Sequence, residues 1–252
     1  MSKGIPKTNQ LDIDRIAFFG RTYAEYMSMF DLDEQLLRRG AVLDCPAGAS
    51  SFAAEAHQLG LDVTACDIMY NLSADELIEK CKNDIQHVFK KFNEASHLYV
   101  WKYYKNKEEV IALRNKALRL FVEDFPAGFK EKRYVEAGLP HLPFPDKSFS
   151  FVLSGNFLFL YGDRLDSVFH KACIKELIRV CSGEVRIFPL VGLDAKPYPY
   201  LNDILSFFDY SGIKTEIVNV PFEFQKGANQ MMKIRAGFRD TSDRIDFLRV
   251  CE

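Results

Sequence analysis

No Cys-x-x-Cys pair occurs among the six cysteines of the sequence, and no run of cysteine and histidine has the spacing of a zinc site. That excludes zinc ribbons and dithiol redox motifs of the kind that local spacing reveals. Cys45, Cys66, Cys81, Cys173, Cys181 and Cys251 are therefore read as structural thiols of a reducing, cytoplasmic compartment. No stretch approaches the ~20 apolar residues that a membrane-crossing helix needs. The polar opening "MSKGIPKTNQLDID" holds no signal-peptide core, so no membrane partner is expected. Charge of one sign is also scarce: a net charge of −2 provides no overall basic field, which speaks against nucleic acid as the main partner. Internal repeats and low-complexity tracts are absent, which excludes solenoids and flexible linkers.

What is present suits one globular domain over 1–252, because 48% hydrophobic residues in a chain of 252 can bury one substantial core. Residues 13–40 place Phe18, Tyr23, Tyr26, Met27, Phe30, Leu32, Leu36 and Leu37 at helical spacing, with Gly40 as the stop. "AVLDC" (41–45) then reads as a strand, "SSFAAEAHQLG" (50–60) as a helix and "DVTACD" (62–67) as a second strand. Strand, helix and strand at this spacing require a parallel sheet.

The alternation stops over 71–130, which reads as a helical insertion. Within it, 73–92 aligns Leu77, Cys81, Ile85, Val88, Phe89 and Phe92 behind a Ser73/Glu76 capping box, and 94–125 suggests two helices broken near Asn106. Strands are expected again at 133–137 and 149–155, a helix at 163–183 ended by Gly183, a strand at 184–191, a helix at 199–212, and strands at 214–220 and 230–236. The fold class is α/β: a Rossmann-like, seven-stranded, mostly parallel sheet flanked by helices, with a helical insertion after the second strand.

In an open parallel sheet a ligand sits beyond the carboxyl ends of the strands, and the first strand-to-helix turn is the usual place. The turn in "VLDCPAGASSF" is built of small residues, so that backbone N–H groups and the helix N-terminus can approach a ligand. Pro46 bends the chain but donates no hydrogen bond. Asp67 ends the next strand, where a carboxylate can accept both hydroxyls of a ribose. Together the two features suggest an adenosine-containing ligand; small residues that merely let a helix pack closely, followed by an ordinary loop aspartate, are the plainer alternative.

"VLDCPAG", "ACD", "GLPHLPFPDKSFSFVLSGNFLFLY" and "CIKELIRVCSGEVRIFPLV", in this order, resemble the class I S-adenosylmethionine-dependent methyltransferases. The resemblance spans 41–191 apart from the insertion, and it implies S-adenosyl-L-methionine as cofactor. Asp44, Cys45, Pro46, Ala47 and Gly48 match the turn that holds the methionyl end; Asp67 matches the ribose-binding acid, with Ile68 and Met69 beside the adenine. Gly138 and Leu139 match the other side of the adenine, where an Asp is usual. Ser154, Gly155 and Asn156 match positions beside the methionyl backbone and the transferable methyl. Pro46 and Ser50 depart from the family's glycines. Arg21 and Tyr23 resemble a segment that closes over the cofactor, with Arg21 placed to pair with its carboxylate.

Methyl transfer needs in-line approach more than a dedicated base, so no catalytic residue is named. Strand end "SGNF" is not the Asn/Asp-Pro-Pro-Tyr/Phe sequence with which resembling enzymes hold an amide or exocyclic nitrogen, which speaks against base or glutamine N-methylation; the leading expectation is methyl transfer to a small-molecule acceptor. Tyr161 is a candidate substrate contact. His141 is a candidate base whose plain reading is a surface turn residue, and Trp101, Tyr103 and Tyr104 read as pocket lining or core. Between Lys80 and Arg133 thirteen basic residues face seven acids, which suggests a cap for an anionic substrate, an RNA-facing surface, or a solvated helix face. A non-catalytic S-adenosylmethionine- or nucleoside-binding module and an RNA methyltransferase remain the alternatives, with a nicotinamide oxidoreductase weaker still because G-x-G-x-x-G is incomplete.

Overall fold

The computed structural model describes residues 8–235. Seven strands form one sheet in the order β3-β2-β1-β4-β5-β7-β6: β1 (Val42–Asp44), β2 (Val63–Asp67), β3 (Tyr134–Glu136), β4 (Phe149–Gly155), β5 (Cys181–Phe188), β6 (Thr215–Asn219) and β7 (Gln230–Arg235). β1 to β5 pair in parallel, and β7 runs antiparallel to β5 and β6. The order reverses between β1 and β4, so the crevice beyond their carboxyl ends is the topological switch point. The sheet is the Rossmann-like one that the sequence implies. Cys251 and Ala236, the last residue of the expected final strand, lie outside the described residues.

Helices cover both faces, which is why the central strands read as continuous apolar runs rather than alternating ones. Val42, Val63, Ala65, Phe151 and Leu153 pack on the side of α1 (Tyr23–Met29), α3 (Phe52–Gln58), α4 (Ala74–Ala95) and α5 (Lys107–Lys130). Leu43, Cys45, Val152, Val185 and Ile187 pack on the side of α6 (Ser167–Val180) and α7 (Leu201–Tyr210). Among the described residues no helix is long and apolar enough to cross a membrane.

Three expectations need correction. The periodic stretch 13–40 is not one helix. Residues 11–22 run as an irregular strap, followed by α1 and a short α2 (Glu34–Leu37), with Asp31 at φ 47° between them. The strap's backbone is claimed by distant groups: Ala17 N–H donates to the Tyr161 hydroxyl (3.0 Å), and Phe18 N–H to Asp84 Oδ2 on α4 (2.8 Å). The break at Asn106 is real, since its side chain caps α5 by accepting the Glu109 N–H (2.8 Å), but the helix before it already ends at Ala95, followed by a single 3-10 turn at Ser96–Leu98. Residues 99–106 form a second strap, bridged at Tyr99 to Gln225 and bonded from Val100 N–H to the Phe224 carbonyl (2.7 Å). Finally, Gly183 lies inside β5 instead of ending a helix. A Cβ there would stand 2.3 Å from the Ser150 carbonyl oxygen, so the glycine serves close strand approach.

Both straps meet a buried ion pair. The Glu25 carboxylate on α1 accepts the N–H and hydroxyl of Thr22 (each 2.9 Å) and pairs with Arg114 on α5 and the Tyr104 hydroxyl. Arg114 also donates to the Gly20 carbonyl (2.7 Å). Burial would raise the Glu25 pKa, but the charges of Arg114 and Arg21 outweigh it and hold the group at about 2, against an ordinary 4.5.

Removing one member of a buried pair strands its partner's charge, so Arg114→Met is expected to lower stability by about 3–5 kcal/mol in urea unfolding at neutral pH. Glu25→Gln with Arg114→Met should cost less than the two single losses added. The Glu25 contribution is present above pH 4.5 and is lost as pH falls towards about 2, so acid unfolding of the natural chain should steepen in that window and flatten in the double variant.

Candidate functional site

β1 delivers the chain into the turn at 45–51. The Cys45–Pro46 peptide is cis, and Gly48 follows at φ 59°, a left-handed conformation that glycine takes without penalty. A Cβ on Gly48 would also lie 2.9 Å from the Phe19 carbonyl oxygen of the first strap. Gly20 fits more closely still, because a Cβ there would be 2.0 Å from the Ser50 nitrogen. Two glycines therefore let the strap lie directly on the turn.

That contact is hydrogen-bonded at the helix N-terminus. Ser51 N–H and the Ser50 hydroxyl both donate to the Arg21 carbonyl (3.1 and 3.0 Å), and Phe52 N–H is taken by Ser50 Oγ (3.1 Å). The chain entering α3 is thus tied to the strap through Ser50 and Ser51.

Asp67, at the end of β2, joins the two loops that flank the switch point. Its Oδ2 accepts Gly48 N–H and its Oδ1 accepts Met69 N–H, both at 2.9 Å. Each carboxylate oxygen has a further lone pair free for a ligand hydroxyl. Burial raises the Asp67 pKa above its ordinary value, against the lowering effect of these two backbone donors.

These elements enclose a cavity of about 390 Å³. Arg21, Pro46, Ala47, Gly48, Asp67, Ile68, Met69, Gly138, Leu139, Gly155, Asn156 and Tyr161 line it, so the structure brings together residues spread from 21 to 161. Asp44, Cys45 and Ser154 lie behind that wall. Asp44 is fully buried and accepts the Tyr26 hydroxyl (3.1 Å), with burial pushing its pKa well up, and Cys45 belongs to the core on the α6 side. Ser154 is buried, and its hydroxyl has no partner among the described residues. His141 is exposed and stands outside the lining, while Tyr23 stacks on Phe52 (centroids 5.5 Å apart).

One slot is shaped by what glycine lacks. At Gly138 a Cβ would fall 2.2 Å from Ile68 Cγ2, so this position closes against Ile68, which is 62% exposed and forms part of the rim. Asn156, at φ 53°, caps the end of β4 and accepts a hydrogen bond from Arg21 Nη2 (2.9 Å). Arg21 Nη1 lies near the Tyr104 hydroxyl (3.4 Å) and the Glu25 carboxylate (3.6 Å), while its buried Nε has no partner among the described residues. The Tyr161 hydroxyl accepts Ala17 N–H, so it holds the strap down.

Sequence reasoning missed Phe18, Phe19, Gly20, Lys80, Phe157 and Leu160 in the lining. The pair of glycines at 20 and 48 was the available signal, because neither helix nor strand needs one there.

No protein-family model matches the chain. Among solved structures it is similar to magnesium protoporphyrin IX methyltransferase of Synechocystis PCC 6803 with bound SAM, at 14% identity, covering 85% of this chain and 78% of that one with a TM-score of 0.43. It is similar also to precorrin-6y C5,15-methyltransferase of Geobacter metallireducens GS-15 (15% identity, 86% and 87% covered, TM-score 0.40) and to the tRNA (m1A58) methyltransferase TrmI of Aquifex aeolicus (10%, 86% and 68%, TM-score 0.38). Overlaps this loose carry no assignment of activity. A nearer relative is the uncharacterized protein MJ0045 of Methanocaldococcus jannaschii, 35% identical over 226 residues that cover 89% of this chain and 98% of that protein. At that identity and coverage, the chain belongs to the same protein family as MJ0045.

Proposed function

We propose that this protein is an S-adenosylmethionine-dependent methyltransferase acting on a small molecule. The observation that carries the reading is Asp67: a buried carboxylate on the wall of a 390 Å³ cavity at the switch point, with lone pairs left for a vicinal diol. The remaining lining fits the rest of such a ligand. Ile68, Met69, Gly138 and Leu139 form an apolar slot for the base, with Ile68 closed down on Gly138. Pro46, Ala47, Gly48, Gly155 and Asn156 surround the amino-acid end. Arg21 brings a positive charge, with an unpartnered Nε, to the ligand's carboxylate.

When bound, the cofactor supplies an electrophilic methyl group on a sulfonium. The chain's own work is positioning and exclusion of water. Phe18, Phe19, Phe157 and Leu160 close the apolar side, and the strap that carries Phe18 and Phe19 is tied by Asp84, Tyr161 and Arg114. In-line placement supplies much of such a rate, so a general base is not required.

The chain reads as one domain in a cytoplasmic setting, with 71–130 acting as a cap. Lys80 of α4 reaches the cavity lining, which supports that role. The basic excess of this region favours an RNA backbone less than the raw count suggests. Beyond the seven acids within the region, Lys91 pairs with Asp12 (3.7 Å), Lys102 with Glu223 (2.5 Å), Arg114 with Glu25 and Lys116 with Glu55 (3.9 Å).

Calorimetric titration with S-adenosylhomocysteine and NAD tests the reading; binding of NAD alone would refute it. Asp67→Ala should weaken S-adenosylhomocysteine at least tenfold, and Gly138→Val should do the same by pushing Ile68 off its place on the slot's rim. Because burial raises the Asp67 pKa, affinity should begin to fall on acidification above the ordinary carboxylate value of 3.8 and stay flat in Asp67→Asn. Methyl release against a panel of acceptors separates an enzyme from a binding module.

A further inference from the structure

Three charged side chains line the cavity among the described residues: Arg21, Asp67 and Lys80. Arg21 is tied to Asn156 at the end of β4, beside the place given to the cofactor's amino-acid end, and Asp67 is given the diol. Lys80 has no part in either assignment, although the helix α4 carries it into the lining. It also borders an open surface depression with Arg15, Glu76, Glu79, Asn83 and Asp84, so it stands where the cavity meets solvent.

The Lys80 ammonium is held in place before any ligand arrives. Asp84, one turn further along α4, is buried, and its Oδ2 accepts both Lys80 Nζ (3.1 Å) and the strap's Phe18 N–H (2.8 Å). Asp84 is the only partner of Lys80 among the described residues, which leaves two of the three ammonium N–H groups for a ligand. Asp67 lies close enough to feel this charge: burial, the largest influence, raises the Asp67 pKa, and Lys80 acts against it. Yet no ion pair joins Lys80 directly to Asp67 among the described residues. The space between them therefore has a donor on one side and an acceptor on the other. An ammonium placed there would be repelled by Lys80, and a carboxylate by Asp67. A hydroxyl suits both, giving its proton to Asp67 and accepting from Lys80 with an oxygen lone pair.

We infer that Lys80 is a cofactor-binding residue that completes the diol site, its ammonium donating to the oxygen of one ribose hydroxyl whose proton goes to Asp67. The inference rests on the methyltransferase reading above and makes the helical insertion a reader of the sugar. Because the same Asp84 oxygen holds Lys80 and Phe18 N–H, a bound ribose, α4 and the first strap become one hydrogen-bonded chain.

The test is calorimetry on the full chain with adenosine, 2′-deoxyadenosine and 3′-deoxyadenosine, alongside S-adenosylhomocysteine. The natural chain should bind adenosine more tightly than either deoxynucleoside. Lys80→Met should shrink the penalty for one of the two missing hydroxyls about tenfold, the worth of one charge-assisted hydrogen bond, and leave the other penalty as it is. Should Lys80→Met fail to fold because Asp84 has lost its nearest cation, Lys80→Met combined with Asp84→Asn removes that stranded charge and reads the same ratio. An equal loss of affinity for all three nucleosides, or unchanged penalties, would show a structural lysine and overturn the inference. If S-adenosylhomocysteine fails to bind while adenosine binds with a Lys80-dependent sugar preference, the cofactor reading falls and the role of Lys80 stands; if none of the four binds, both fall.

Discussion

The carboxylate of Asp67 ties together the two loops between which the cavity opens. By accepting Gly48 N–H from the turn after β1 and Met69 N–H from the turn after β2, it fixes their spacing with two charge-assisted bonds in a buried place. Gly48 is then held at a left-handed φ, its carbonyl taken by the Tyr70 hydroxyl at 2.7 Å. The arrangement costs the carboxylate solvation, which is why its pKa rises, and the same desolvation makes any hydroxyl it accepts count for more.

The other wall is a strap whose course no single element dictates. It lies on the turn because Gly20 and Gly48 permit it, and stays there because Asp84, Tyr161 and Arg114 take its backbone groups. The second strap, 99–106, brings Tyr104 to the same Glu25 and Arg114 pair and sets Tyr103 against Phe222 (centroids 4.6 Å apart). One buried ion pair therefore anchors both straps.

Much of the framework was legible in the sequence, since it rests on local signals. The strand–helix–strand unit at 41–67, the strand 149–155, the Ser73/Glu76 box and the break near Asn106 all follow from periodicity, turn residues and side chains that bond within four residues of themselves. At the strand ends the small-residue turn and Asp67 were legible for the same reason, whereas Ile68, Met69, Gly138, Leu139, Gly155 and Asn156 came only from the resemblance to the methyltransferases. The straps were not. Phe18, Tyr99 and Tyr104 recur at spacings that suit a helix, yet their segments bond to partners more than sixty residues away, information that a local window does not contain. Gly183 misled in a similar way, because a glycine that ends a helix and one that admits a neighbouring carbonyl look alike in one dimension.

The pairing of Asp67 with a ligand diol is most directly tested by a crystal structure of the full chain grown with S-adenosylhomocysteine. The account predicts both ribose hydroxyls on the Asp67 carboxylate, the base between Ile68 and Leu139, and the amino-acid end beside Gly48 and Arg21. A ligand bound elsewhere, or bound in the cavity with Asp67 contacting only Gly48 and Met69, would contradict it.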